Sequence, residues 1–270
     1  MSSPRHVPAH PGNWEPRSVV HGNGGFADSE DARPLRILAE YLQPLHRFRE
    51  EQVHDTVVFF GSARTSPTGP FGQFYEDARL LARRLTEWSN TLPGARRFVV
   101  CSGGGGGIME AANRGATEAG GRTIGLNIGL PREQAPNRYV TPGLGFEFRY
   151  FFMRKLWFSH LARALVVFPG GFGTMDELWE VLTLSQTRKL EREIPIVLYG
   201  SHYWNELINF GALVRHGMID PADLTLFSFA DDVDSAFRLL QSRLPVTAGP
   251  TTPAFARSCM HPADGDHDKP

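Results

Sequence analysis

The segment Pro169-Gly170-Gly171-Phe172-Gly173-Thr174-Met175-Asp176-Glu177 sets a carboxylate just beyond a glycine-rich turn, and Arg154-Lys155 sets two cations upstream of it. Gly170, Gly171 and Gly173 let the backbone approach a ligand closely, and the free N–H groups of a following helix start attract an anion, of which phosphate is the usual example. A carboxylate in such a cradle can activate water or stabilise developing positive charge. Thr174 and Glu177 also match the Ser/Thr-x-x-Glu capping box. That spacing predicts a helix from Met175 to Thr187 with Glu177 in its first turn, where the helix dipole would keep it ionised and hold its pKa down. Glu180, one turn on, is a candidate supporting group.

A second glycine turn lies earlier. Arg97 to Ser102 reads as a strand, Gly103 to Gly107 are all glycine, and Ile108 to Ala119 has helical composition and ends at Gly120-Gly121. A flexible linker would not be flanked by an apolar strand and an apolar helix. Gly104, Gly105, Gly106 and Gly107 are therefore candidate anion binders, in a site shared with Gly170, Gly171, Gly173 and Thr174.

These turns need a sheet to hold them. Leu165 to Phe168 is a short apolar run of the buried parallel type. The other expected strands are Thr56–Gly61, Thr123–Ile128, Ile194–Tyr199 and a segment near Leu224 to Phe229. The expected helices are Phe71–Trp88, one near Tyr203 to Val214, and Val233–Leu244. Alternation of strands and helices predicts an α/β fold, a doubly wound parallel Rossmann-like sheet in one domain, with ligands at the carboxyl ends of the strands. A further helix over Pro34 to Glu51, with Leu35, Leu38, Leu42 and Leu45 at helical spacing, is expected to cover the sheet or a partner subunit.

The segment Glu147 to Leu161 reads as one helix, apolar nearly all round, with Arg154 and Lys155 in its middle. Buried cations need partners. Glu147, on the same predicted face as Arg154, is one candidate and an anionic ligand another. An all-round apolar helix also needs more cover than one sheet face supplies, which predicts a homodimer or larger homo-oligomer.

The chain has 270 residues, 41% of them hydrophobic, enough for one sizeable core. Residues 1–33 and 246–270 hold eight of the 20 prolines and five of the 10 histidines and are expected to be poorly ordered tails flanking a domain at 34–245. Lys plus Arg number 28 and Asp plus Glu 29, so no basic field is present for a nucleic acid. Two cysteines, Cys101 and Cys259, argue for a reducing cytoplasm rather than a disulfide framework. Cys101 is expected to be a small buried residue rather than a nucleophile, and Cys259, His261 and His267 fit no zinc spacing. No signal peptide or membrane span is expected.

A dinucleotide fingerprint fails because Ile108 stands at its third glycine and no carboxylate ends the next strand, and no Walker-type Gly-Lys-Ser/Thr occurs. Arg154-Lys155 with Pro169 to Glu177 instead resembles the paired signatures of the Lonely Guy family, the cytokinin-activating phosphoribohydrolases long misnamed lysine decarboxylases. Gly106-Gly107-Ile108-Met109 resembles that family's first nucleotide loop and Phe60-Gly61-Ser62 its first strand end; the long form looks closest to type II members. The resemblance implies hydrolysis of a nucleoside 5′-monophosphate, AMP or a cytokinin riboside monophosphate, to free base and ribose 5-phosphate. It implies Arg154 and Glu177 as catalytic residues, Ser62 and Lys155 beside the substrate, and no metal or organic cofactor. Phe151 replaces the Met that plant members carry three residues before the Arg, so base preference does not transfer. Two alternatives stay open, a broader purine or pyrimidine nucleotide nucleosidase and a noncatalytic nucleotide or cofactor binder.

Overall fold

The computed structural model describes residues 28–93, 97–129, 136–190 and 192–245. The predicted tails fall almost wholly outside the described residues, as do Cys259, His261 and His267. In chain order the elements are α1 (Arg33–Glu50), β1 (Thr56–Phe60), α2 (Gly72–Ser89), β2 (Val99–Ser102), α3 (Ile108–Glu118), β3 (Thr123–Ile128), β4 (Gly145–Phe148), α4 (Phe151–Leu161), β5 (Ala162–Val167), α5 (Phe172–Gln186), β6 (Ile196–Tyr199), α6 (Ser201–Leu207), α7 (Phe210–Arg215), β7 (Phe227–Ala230) and α8 (Val233–Arg243).

The strands form one sheet in the order β4-β3-β2-β1-β5-β6-β7, every pairing parallel. Thr56-Val-Val-Phe-Phe60 is buried throughout because helices cover both faces of its strand. Its side chains alternate between two cores. Val58 and Phe60 pack with Trp157, Phe158 and Leu178, on the side of α4 and α5. Val57 and Phe59 pack with Leu81, Ile108 and Ala112, on the side of α2 and α3. The chain winds outward from β1 to β4, then crosses back to lay β5 against the other edge of β1. That reversal sets the topological switch point at the carboxyl ends of β1 and β5, where doubly wound sheets form the crevice that binds ligands.

Several expectations change. The predicted helix over 147–161 divides: Gly145–Phe148 pairs with β3 as an edge strand, and the helix begins only at Phe151. Aromatic residues at 146 and 148 suit either period, so periodicity alone does not separate strand from helix here. Nor is α4 buried all round. Met153, Trp157, Phe158 and Leu161 enter the core, whereas Phe151, Phe152 and Leu156 are exposed. The segment near Tyr203 to Val214 is two short helices, and β7 follows a 3-10 turn, Pro221–Thr225, that takes up the start of the expected strand.

In α1 the leucine face is not the one laid on the sheet. Leu35, Leu38 and Leu42 face outward, and the buried positions are Arg36, Glu40, Pro44 and Phe48. Phe48 and Tyr41 meet Trp157 at ring-centroid distances of 5.3 and 5.6 Å, so the helix is held by aromatic packing and by its charged face.

Candidate functional site

Both glycine turns stand at the crevice, and the backbone of Ser62 joins them. Its N–H donates to the Pro169 carbonyl at 3.0 Å, and its own carbonyl accepts from Ile108 N–H at 3.1 Å. A side chain at Gly107, where φ is +65°, would place Cβ 2.2 Å from that Ser62 carbonyl, so glycine is required there. Ser62 Oγ accepts from Arg64 N–H at 3.0 Å within the same turn.

The first loop is fixed from behind by residues that the sequence pattern does not single out. Gly104 N–H donates to Ser102 Oγ, which donates to Asn113 Oδ1 at 2.7 Å. Asn137 Nδ2 donates to the carbonyls of Gly104 and Gly105 at 3.1 and 2.9 Å, turning them away from the crevice. Gly104 itself has φ +72°, and a Cβ there would lie 2.0 Å from Asn127 Oδ1. Such isolated Ser and Asn residues carry no periodic signal; only the fold brings them together.

The second loop runs directly into α5, which starts at Phe172 rather than at Met175. Gly171 is the N-cap and no side chain caps the helix, so its first-turn N–H groups remain available to an anion. Tyr203 Oη steadies the loop by donating to the Gly170 carbonyl at 2.8 Å. Thr174 is buried within the first turn, where a Cβ on Gly170 would lie 2.2 Å from Thr174 Oγ1; neither Gly171 nor Gly173 has a neighbour within 4 Å of such a position.

This early start overturns the capping-box expectation. Thr174 and Glu177 are both inside the helix, and Glu177 lies in the second turn, pointing at Arg154 on α4. Arg154 Nη2 donates to Glu177 Oε1 at 2.8 Å, with each side chain only 12% exposed. The guanidinium also lies 5.4 and 5.6 Å from the ring centroids of Phe151 and Phe158. Its Nε is buried without a hydrogen-bond partner. Burial lifts the Glu177 carboxyl to about 7, against the pull of Arg154 in the other direction. The expected depression of its pKa is thus reversed, because desolvation outweighs a helix end that Glu177 no longer occupies.

Lys155 and Glu180 are brought together beside this pair. Lys155 Nζ contacts Asp176 Oδ1 at 2.7 Å and Glu180 Oε2 at 3.2 Å, a clasp between α4 and α5 whose Asp176 the sequence reading did not select. Glu147 is not part of the cluster. It is exposed on β4 opposite Asn127, and the partner of Arg154 is Glu177. Cys101 is buried, its thiol pushed up by desolvation and then by the Glu177 charge, which does not suit a nucleophile. Among the described residues no group of His, Cys, Asp and Glu is arranged to hold a metal, and no helix is long and apolar enough to cross a membrane.

A family model described as "Possible lysine decarboxylase" matches residues 109–240. A probable cytokinin riboside 5′-monophosphate phosphoribohydrolase, LOG4 of Oryza sativa subsp. japonica, is 28% identical over 182 residues, covering 67% of this chain and 73% of that protein. The cytokinin riboside 5′-monophosphate phosphoribohydrolase LOG2 of Arabidopsis thaliana is 26% identical over 191 residues, covering 70% and 83%. Among solved structures, the structural-genomics protein TM1055 superposes with a TM-score of 0.50 at 22% identity, covering 70% of this chain and 99% of that one, a likeness of fold.

Two predictions follow from the geometry. Gly107→Ala forces both a left-handed backbone and a clash with Ser62, and should destabilise the protein by about 1–3 kcal/mol in chemical denaturation; an unchanged midpoint would remove the steric argument. Glu177 ionises in the folded state near 7 rather than 4.5. Its contribution to stability is therefore present below pH 4.5 and lost as pH rises to about 7. At about 1.36 kcal/mol per pH unit, the loss is on the order of 3 kcal/mol. Glu177→Gln, which keeps an acceptor for Arg154, should melt higher than wild type at pH 8 and show no such advantage at pH 4.5. Melting curves that keep a constant offset across this range would contradict the raised pKa.

Proposed function

We propose that the chain is a member of the Lonely Guy family and that it hydrolyses the N-glycosidic bond of a nucleoside 5′-monophosphate, AMP or a cytokinin riboside monophosphate, to free base and ribose 5-phosphate. The observation that carries this reading is a buried, ion-paired carboxylate ionising near neutrality between two glycine-lined anion cradles. The phosphate sits against the N–H groups of Gly105 to Gly107 and the first turn of α5, which leaves the sugar toward Glu177. As the C1′–N bond lengthens, positive charge grows on the ribose, and the Glu177 carboxylate stabilises it and takes a proton from the attacking water. Water supplies the hydroxyl on C1′, the base departs with a proton taken from solvent, and Glu177 returns the proton it took from water to solvent, so that one water is consumed in all. Arg154 holds the carboxylate in place and favours its charged form. The Lys155 clasp fixes the two helices, and no metal or organic cofactor takes part.

We also propose that two or more copies associate through the outer faces of α4 and α5. Phe151, Phe152, Phe172 and Trp179 are exposed there, Phe172 by 94%, and apolar surface of this kind marks an interaction site. Light scattering should give at least twice the mass of one chain at micromolar concentration; a single-chain mass would sink the proposal.

The functional reading is tested by incubating the protein with matched nucleosides and monophosphates and separating the released bases. AMP should be cleaved and adenosine should not. Below pH 7 the rate should fall about tenfold per pH unit as Glu177 takes up its proton, and Glu177→Gln should lower turnover about a hundredfold or more. Equal cleavage of AMP and adenosine would remove the phosphate cradle from the argument. Tight AMP binding without base release would leave a nucleotide binder.

A further inference from the structure

The helix that carries Arg154 is gripped by a buried carboxylate that the mechanism above does not use. Glu40, on α1, is only 3% exposed. Its Oε1 accepts from Arg149 N–H at 2.8 Å and its Oε2 from Tyr150 N–H at 3.3 Å, at the point where the chain enters α4. Tyr150 is the N-cap of α4 and has no side-chain cap of its own. A carboxylate at this end also complements the helix dipole.

The main chain of Glu40 makes a third contact for a reason written in the sequence. The carbonyl of residue 40 should accept from the N–H of residue 44, but residue 44 is proline and has none. Trp157 Nε1 fills the gap, donating to the Glu40 carbonyl at 3.0 Å. Arg36, one turn earlier on the same buried face, donates from Nε to Tyr150 Oη at 3.2 Å. One face of α1 therefore holds α4 at Tyr150 and again at Trp157. Arg154 lies between these anchors, its N–H bonded to the Tyr150 carbonyl at 3.2 Å and its side chain extended to Glu177. The region matched by the family model starts well after α1, so this grip comes from outside it.

We propose that Glu40 is a positioning residue, which, with the carbonyl released by Pro44, sets α4 so that Arg154 meets Glu177. The proposal rests on the catalytic reading of that pair for its kinetic consequence but not for its structural one. Burial without full ionic compensation raises the pKa of Glu40, so the grip is costly unless its hydrogen bonds are made. Glu40 touches neither glycine loop, so phosphate binding does not depend on it.

The test compares Glu40→Ala and Glu40→Gln with wild type, using AMP as the probe. In folded Glu40→Ala, AMP affinity should change by less than about threefold, whereas kcat should fall about tenfold or more, as expected when a reacting group is displaced by a fraction of an ångström. With Arg154 no longer held against it, Glu177 should take up its proton at a higher pH, so the rising limb of the pH–rate profile moves upward. Glu40→Gln keeps an acceptor oxygen and should recover part of both losses. Trp157 should become more accessible to a fluorescence quencher in Glu40→Ala. A variant that only melts lower, with kcat and the pH limb of wild type, would overturn the proposal.

If Glu40→Ala does not fold, the same limb is read on Glu40→Gln, and an unshifted limb there is equally fatal. If wild type releases no base at all, the catalytic reading fails separately. The titration of Glu177 is then followed through the pH dependence of the melting difference between Glu40→Gln and the Glu40→Gln/Glu177→Gln double variant. An upward displacement relative to the wild-type pair supports the positioning role, and coincident curves end it.

Discussion

A guanidinium and a carboxylate taken out of water together tolerate little error in placement. Arg154 and Glu177 sit on different helices, and if either is displaced the other is left as a buried charge without compensation. Much of the surrounding architecture can be understood as meeting that constraint. The Lys155 contacts with Asp176 and Glu180 lock the flank of the two helices, and α5 is further fixed because its leading loop is tied to β1 through Ser62. Even so the pairing does not fully offset desolvation, since Glu177 still ionises near neutrality. A carboxyl balanced between its two forms can exchange a proton at modest cost.

The two loops illustrate how a parallel sheet turns a local pattern into a shared site. Each glycine turn is separate in sequence, and either alone is only a strand-to-helix connection. Placing β1 between β2 and β5 puts Ser62 between them, with one backbone hydrogen bond to each side. The Asn137 side chain behind the first loop then takes up the carbonyls of Gly104 and Gly105. Carbonyls engaged in this way do not oppose an anion held by neighbouring backbone N–H groups.

The glycine turns and the parallel strands were legible because each rests on local, strongly biased composition, whereas the pairing of Arg154 with Glu177 was not, Glu147 being the protein partner the sequence suggested. Element starts were harder. Thr174 and Glu177 have the spacing of a capping box, yet Phe172 and Gly173 are also helical, since the turn of the chain out of β5 decides where α5 begins. In α1 the leucine spacing correctly gave a helix, but the face laid on the sheet is the charged one. Buried Arg36 and Glu40 are satisfied by groups on a distant segment, Tyr150 and the Arg149 and Tyr150 amides, and no periodicity within α1 can show that such partners exist. Glu147 was misplaced for a related reason: a short edge strand preceding a helix leaves too few residues for either period to stand out.

That misplaced glutamate stands on the outer edge of the sheet. Among the described residues β4 ends the sheet, with no strand beyond it. It is only four residues long and bears an outward carboxylate, and Arg149 follows directly beyond it. Short length and charge are what keep one sheet from extending into the next. The rim of this sheet is thus made unreceptive to strand addition, while the apolar side chains of α4 and α5 lie uncovered on a helical face. Contact through helices closes once two faces have met, whereas contact through strand edges has no natural end.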